Sequence, residues 1–546
     1  MTYADTILSG GVVVNPGELP SQTPRTHVAI TDGRISAIGG AELLDTCGGP
    51  NTEVHDHGPR AAILPGLVDT HTHPVWGSES QGGSLGFGGA TSLDDVRAQL
   101  APAVAAAEHG AWITGYDLDV NAFPGEPEGR IFEEWFPGVK ISIMTRDAHA
   151  LVVSPAVVAA IGLTGDETFA DASTIVVDAE GPTGWVIELQ AMDLVIRNYP
   201  QEPAEVLAGY LLDSLRAFAS QGLTAVHALD FHDPSAELFP LLEAEHELPV
   251  RVRCSPLVPA DSEPVEWERI AALIGTGGKR WRVEGVKFML DGTADNGTAW
   301  FEQPDTHGEN HDALWTSTDA YREAVRFFTS RDIPTITHAI GDQAVRFVLD
   351  TVAEVGHAPS APHRIEHIES IPDSLLDRFA ELGVVAGLQP THATRLTSPD
   401  QSDGWSQRIG PERVAAGWRI RDLISHDAVV TLSSDWPIGV GDPRISLADA
   451  QLRRPVDMPE HAGNQPQQRI TPAEAYRAMT LAPAIAEGTQ DHFGRIAQGL
   501  TADLTVFAEN PLALDPEQQA DNAVLATYID GCRVAAAPAL STQETP

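Results

Sequence analysis

Lysine is almost missing from this chain. Among 546 residues only Lys140, Lys279 and Lys287 are lysines, and 77 acidic against 34 basic residues leave a formal net charge of −43. A field of that sign repels phosphate backbones and anionic bilayers, which argues against nucleic acid and membrane as partners. Cysteine is nearly as scarce. Cys47, Cys254 and Cys532 are odd in number, far apart and without a Cys-x-x-Cys pair. That speaks against a disulfide framework and for reduced thiols in a cytoplasmic protein. No apolar run reaches the roughly 18 residues of a membrane span. The start, Met1 to Leu8, shows neither a basic segment nor a long apolar one, so no signal peptide is expected.

What is present is a core-sized apolar content, 42% of residues, enough for one large domain and a smaller one. Both ends read as β-structure. Runs at Thr6–Val14, Thr26–Ile30 and Arg34–Ile38 surround a hairpin turn at Asp32-Gly33, and runs at Asp503–Phe507, Val524–Ile529 and Cys532–Val534 surround another at Asp530-Gly531. Between them, short apolar runs alternate with helical stretches such as Asp319–Arg331 and Asp373–Leu382. The candidate strands are Leu67–His73, Ile141–Thr145, Leu223–His227, Val250–Arg253, Val283–Met289, Pro334–His338, Arg364–His367, Val384–Leu388 and Val429–Ser434. Alternation of this kind predicts parallel pairing and an α/β fold, a (β/α)8 TIM-type barrel, with one of these runs surplus or in an insertion. The expected organisation is an N-terminal part of a small β-sandwich (1–62), a barrel (63–484) with an insertion over its mouth (about 77–140), the C-terminal part of the sandwich (485–535) and a tail (536–546).

The run Ile63-Leu-Pro-Gly-Leu-Val-Asp-Thr-His-Thr-His-Pro74 carries the most chemistry. Side chains two apart on a strand share a face, with Cα atoms ~6.6 Å apart, so His71 and His73 can hold one metal ion. Four histidines, one lysine and one aspartate fall at or just beyond predicted strand ends: His71, His73, Lys287, His338, His367 and Asp435. Catalytic groups of a barrel collect at that face, although a lone strand-end histidine is more often structural and Asp435 could simply cap a helix. Lys287, inside an apolar run, either pairs with a carboxylate such as Asp291 or is modified. A desolvated lysine reacts as a free amine, and carbon dioxide would convert it to an anionic carbamate.

The chain resembles the amidohydrolase superfamily, in the YtcJ-like branch that includes N-substituted formamide deformylases. The residues that carry this are Leu64–His73, Asp147-Ala-His149, Gly181–Trp185, Gly222–His227, Gly285–Gly292, Thr337–Asp342, His363–His367, Gln389-Pro390 and Ser434–Pro437, with Gly494–Gly499 near the end. The likeness spans nearly the whole chain and departs from the usual pattern in the loop Asp291–Gly297. It implies two divalent ions, zinc foremost and manganese, iron, nickel or cobalt as alternatives. His71, His73 and Asp435 would hold one, His338 and His367 the other, and N6-carboxylated Lys287 would bridge them. Metal-activated water would attack the C–N bond of an amide or N-formyl group in a small molecule, with Asp435 shuttling the proton and with His149 and His227 as candidates to contact the oxyanion.

Lesser candidates are Asp342, either to orient His338 or simply to cap a helix starting near Gln343, His392 to approach the substrate, and Trp76, Trp112 and Trp436 to wall a pocket. The Gly-rich stretch Gly77–Gly89 reads as a lid or a solvent loop. The expected partner is a small-molecule substrate, and a homodimer is the expected assembly. Two other readings stay open: a mononuclear deaminase or cyclic amidohydrolase with Lys287 unmodified, and a non-catalytic binding protein on the same fold.

Overall fold

A computed structural model describes residues 3–18 and 25–536. Its centre is made of parallel strands. Strands β1 (Leu67–Thr72), β2 (Leu223–Phe231) and β3 (Arg251–Pro256) pair in parallel in one sheet, with the short strand Trp281–Val283 added on the far side of β3. A second sheet runs β4 (Val286–Met289), β5 (Thr335–Ala339), β6 (Arg364–His367), β7 (Val385–Leu388) and β8 (Val430–Leu432), again all parallel. The two sheets touch at both edges. A parallel bridge joins Leu257, just after β3, to Lys287 on β4, and Val258 N donates to Lys287 O at 2.8 Å. A second parallel bridge joins Thr72 to Trp436, with Asp435 N donating to His71 O at 2.9 Å and His73 N to Trp436 O at 2.8 Å.

The connecting helices form for legible reasons. Helix Thr318–Thr329 is capped by the Ser317 side chain, which accepts from Ala320 N, and it buries Tyr321, Ala324, Val325 and Phe328, one stripe at helical spacing. Pro74 ends β1 and opens the helix Pro74–Gly83, where its missing N–H costs nothing. The Gly-rich stretch expected as a lid or loop is therefore mostly helix, followed by a two-residue strand at Leu85–Gly86.

Ile141–Thr145 is the surplus run. It lies in neither parallel sheet. It belongs to a six-stranded sheet ordered Thr174–Asp178, Gly181–Ile187, Ala150–Val153, Lys140–Thr145, Trp112–Leu118, Leu85–Gly86. This sheet has its own apolar core around Phe87, Phe132, Ile141 and Trp185. It runs on past residue 140, the expected end of the insertion, to Ile187.

The chain ends meet. A four-stranded sheet from residues 6–56 and a five-stranded sheet combining Val12–Val13 and Ala62–Pro65 with Leu504–Phe507, Val524–Ile529 and Cys532–Ala536 share one apolar core, in which Leu8, Val28 and Ile63 pack with Leu504, Val506 and Tyr528. Asp32, Gly33, Asp530 and Gly531 all have φ between 49° and 72°, the left-handed pair that a two-residue hairpin turn needs. The expected tail lies, past Ala536, outside the described residues.

A net charge of −43 makes self-repulsion a standing cost of the compact state. Screening shortens the Debye length from ~10 Å at ~0.1 M salt to ~3 Å at ~1 M. We expect Tm to rise by roughly 2 °C or more over that range in sodium chloride, as about 1 kcal/mol would produce in a large domain. A flat or falling Tm in differential scanning calorimetry would show that repulsion does not limit stability.

Candidate active site

His71, Lys287, His338 and His367 lie within or at the ends of β1, β4, β5 and β6, while His73 follows β1 directly and Asp435 comes after Ser433 and Ser434 beyond β8. The strand ends bring most of them to one place. His71 Nε2 lies 3.3 Å and His73 Nε2 3.0 Å from Asp435 Oδ1, and His367 Nδ1 lies 4.0 Å from Asp435 Oδ2. The rings of His71 and His367 are 4.9 Å apart and those of His338 and His367 4.3 Å. Except for His73, whose side chain is 20% exposed, these groups are buried. Backbone distortion marks the site. His367 has φ 74° and Asp435 φ 58°, which non-glycine residues adopt only when the surroundings impose it. The bend at His367 also lets it face His71 together with its neighbour Glu366, against the alternation of a regular strand.

The rings are aimed by groups the sequence did not single out. Glu366, fully buried, accepts from His71 Nδ1 at 2.9 Å, and its other oxygen accepts from Arg364 Nε. Gln389 Nε2 donates to the same carboxylate at 3.3 Å. Gly387 makes this possible, because a Cβ there would sit 2.3 Å from Glu366 Oε2. A carboxylate only accepts, so Nδ1 of His71 carries the hydrogen and its Nε2 presents a lone pair to Asp435. Likewise the carbonyl of Gly292 accepts from His338 Nε2 at 3.2 Å, which leaves Nδ1 of His338 bare.

Two of the alternatives weighed in the sequence fall away. Asp342 accepts from Glu302 N and does not reach His338, because it sits in the first turn of the helix that follows β5. Asp291 does not pair with Lys287. It accepts from the backbone N–H groups of Trp300, Ile340 and Gly341, and its carboxylate is 3.7 Å from His338 Nε2.

The protonation states suit metal ligation. Burial, reinforced by Lys287 and neighbouring rings, holds His71, His338 and His367 well below the usual histidine range, so all three are neutral. Burial alone would raise the Asp435 carboxyl, but His73, whose Nε2 lies 3.0 Å from Oδ1, outweighs it and keeps the group ionised. Lys287 is buried with no carboxylate within 4.0 Å among the described residues. Burial pulls its pKa down to about 8, and Glu366 and Asp435 only partly offset that.

A cavity of about 400 Å³ opens over this cluster. One part of its wall is apolar, with Trp76, Met144, Met192, Leu229, Phe231 and Met289. Trp112 and Trp436 pack elsewhere, on Tyr199 and Phe218. His392 does line the cavity, 3.7 Å from Asp435 Oδ2. His149 lines it too and comes from the six-stranded sheet, just before Ala150–Val153. Burial would lower its pKa, but Glu188, 3.0 Å from its Nδ1, overrides this and pushes it up to about 9. The expectation for His227 needs correcting. It sits mid-strand on β2, bonded to Ser255 Oγ at 2.9 Å and 3.4 Å from Arg364, and it is not part of the cavity wall.

The chain matches the Amidohydrolase family over residues 61–535. It belongs to that family. It is 27% identical over 555 residues to "Protein LONG AFTER FAR-RED 3" of Arabidopsis thaliana, with 97% of this chain and 91% of that protein covered. It is 26% identical to "Putative amidohydrolase YtcJ" of Bacillus subtilis, over 96% of this chain and 98% of that one. With the "N-substituted formamide deformylase" of Arthrobacter pascens it shares 22% identity over 92% and 94%. In fold it is similar to the crystal structure of an uncharacterized metal-dependent hydrolase from Pyrococcus horikoshii, with a TM-score of 0.72 at 20% identity, covering 94% of this chain and 99% of that one.

The residues present fit the metal that such an amidohydrolase implies. Ligand atoms of His71, His367 and Asp435 all lie within 4.8 Å of one another. His367 Nδ1 and Asp435 Oδ1 are both buried, and neither has a well-aligned hydrogen bond among the described residues. A lone pair facing a carboxylate is repulsive without a cation between them.

Glu366→Gln turns part of this arrangement around, since an amide can present N–H where the carboxylate accepted. We expect a 10–100-fold loss of affinity for zinc, read by chelator competition, with the fold intact by circular dichroism. Unchanged affinity would mean that the His71–Glu366 contact does not set the ligand.

Proposed function

We propose that the chain is a metal-dependent amidohydrolase that cleaves the C–N bond of an amide or N-formyl group in a small, partly apolar molecule. What carries this reading is the gathering of the His71 Nε2 lone pair and the Asp435 oxygens with the unpartnered His367 Nδ1, at strand ends beneath a cavity. The parallel strands β1 to β8, bridged at both junctions, read as one (β/α)8 barrel, whose C-terminal face is where such sites collect. The name of the deformylase relative supports the N-formyl choice.

His71, His73 and Asp435 are the proposed ligands of one ion and His338 and His367 of a second, with Lys287 carboxylated between them and zinc the expected metal. The lysine's isolation from carboxylates favours the carbamate over an ion pair. A divalent metal bound there supplies a Lewis acid and brings the pKa of water to near 7.

The protein groups do the rest. Asp435, ionised and at the cavity floor, accepts a proton from the attacking water and returns it to the departing nitrogen, so that the amine leaves neutral. His149, protonated through Glu188, hydrogen-bonds the carbonyl oxygen as negative charge develops on it. The apolar wall of Trp76, Met192 and Phe231 excludes water and takes the substrate's hydrocarbon part.

Metal analysis of protein expressed with zinc and bicarbonate is expected to give close to two ions per chain. One ion per chain with unmodified Lys287 would favour the mononuclear reading instead. Asp435→Asn should lower turnover of an active formamide or amide at least ~100-fold while the protein stays folded, and near-normal turnover would remove Asp435 from the proton path. A fully metal-loaded wild type that is inert across a broad formamide and amide panel would point to a binding protein.

A further inference from the structure

Glu188 is a tightly held carboxylate that the proposed chemistry reaches only through His149. It is fully buried, immediately after the strand Gly181–Ile187 of the six-stranded sheet. Its backbone has φ 68° and ψ 166°, a conformation nearly restricted to glycine. Both carboxylate oxygens are engaged. Oε2 accepts from His149 Nδ1 at 3.0 Å and Oε1 from Thr298 Oγ1 at 2.6 Å. Its backbone N–H donates to His149 O at 2.8 Å, so main chain and side chain grip the same residue.

Space has been kept for it as well. A Cβ at Gly292 would lie 2.0 Å from Glu188 Oε1. No lysine or arginine lies within 4.0 Å of Glu188 among the described residues, so His149 is its cationic partner. Burying an ionised carboxylate in a strained backbone is costly, and packing alone would be served as well by an apolar residue or an amide.

With Nδ1 held by Glu188, the other ring nitrogen of His149 has no partner among the described residues, and the ring lines the cavity with its centroid 5.4 Å from that of His338. We propose that Glu188 is a positioning residue of the active site: it fixes the ring orientation of His149 so that Nε2 meets the substrate beside His338. The covering six-stranded sheet thereby supplies a working part of the site, which the parallel strands complete with the metal-type ligands. Thr298, in the loop after β4, buttresses the same carboxylate and ties that loop to the pair. This inference rests on the hydrolase reading, within which it gives the covering sheet a task.

A double-mutant cycle on an active amide or formamide tests it. Glu188→Gln should lower kcat ~30–100-fold with KM within about threefold, and His149→Ala should lower it ~100-fold or more, as loss of one donor to an oxyanion does. The double variant should be no slower than His149→Ala alone, because Glu188 acts only through that ring. Losses that multiply in the double variant, or full turnover in Glu188→Gln, would overturn the proposal. Metal content and Tm serve as controls, and Thr298→Val offers a milder route, with a several-fold loss expected that vanishes in the His149→Ala background. One readout does not need turnover. Proton NMR of the zinc-loaded wild type should show a low-field, slowly exchanging His149 Nδ1–H signal, assigned by its absence in His149→Ala. Its loss in Glu188→Gln supports the proposal, and its persistence unchanged overturns it. If the wild type is inactive on every substrate yet shows the signal, the hydrolase reading fails while the pairing stands.

Discussion

Two atoms without a hydrogen between them face each other at the heart of this protein: the Nε2 lone pair of His71 and an oxygen of ionised Asp435, 3.3 Å apart. Such a pair repels unless a cation joins it. The surroundings hold the two in place nonetheless. Asp435 N is bonded to His71 O, and Asp69 accepts from the N–H groups of both His71 and Ser434, which locks the end of β1 to the segment leaving β8. Left-handed backbone at His367 and Asp435 adds local strain to the same spot. The metal proposed above would relieve these costs together.

A common device recurs around that centre. Three of the imidazoles are clamped on one nitrogen by a buried acceptor, which frees the other nitrogen for the site: Glu366 for His71, the Gly292 carbonyl for His338, Glu188 for His149. Glycine makes room in two of these cases, at Gly387 and Gly292, where any side chain would strike the clamping carboxylate. Only neutral rings serve as ligands, and burial keeps His71, His338 and His367 neutral, whereas His149, with a carboxylate of its own, is charged. One residue type is thus divided between two tasks by what stands behind it.

The acidity of the chain plays a different part. Glu366 and Glu188, the carboxylates that hold His71 and His149, are buried and hydrogen-bonded. The bulk of the 77 acidic residues sets solubility and long-range repulsion, and says nothing about catalysis.

Much of the site was legible in the residue order. The two-residue spacing of His71 and His73, the apolar lead-in to each strand and the stop at Pro74 are local properties, and local periodicity is what a strand imposes on its sequence. The run of strand-end residues His71, Lys287, His338, His367 and Asp435 was visible for the same reason, and so was the lysine isolated in an apolar stretch. The partners of these residues were not. Glu366 meets His71 across 295 positions and Glu188 meets His149 across 39, and neither separation leaves a mark in the chain. His227, matching the others in its strand-end pattern, turned out to lie away from the cavity, because a place along a strand does not say how deep a side chain ends up. Which strands become neighbours, which sheet covers the cavity and where the backbone bends to left-handed φ depend on contacts between distant segments, so tertiary packing alone decided them.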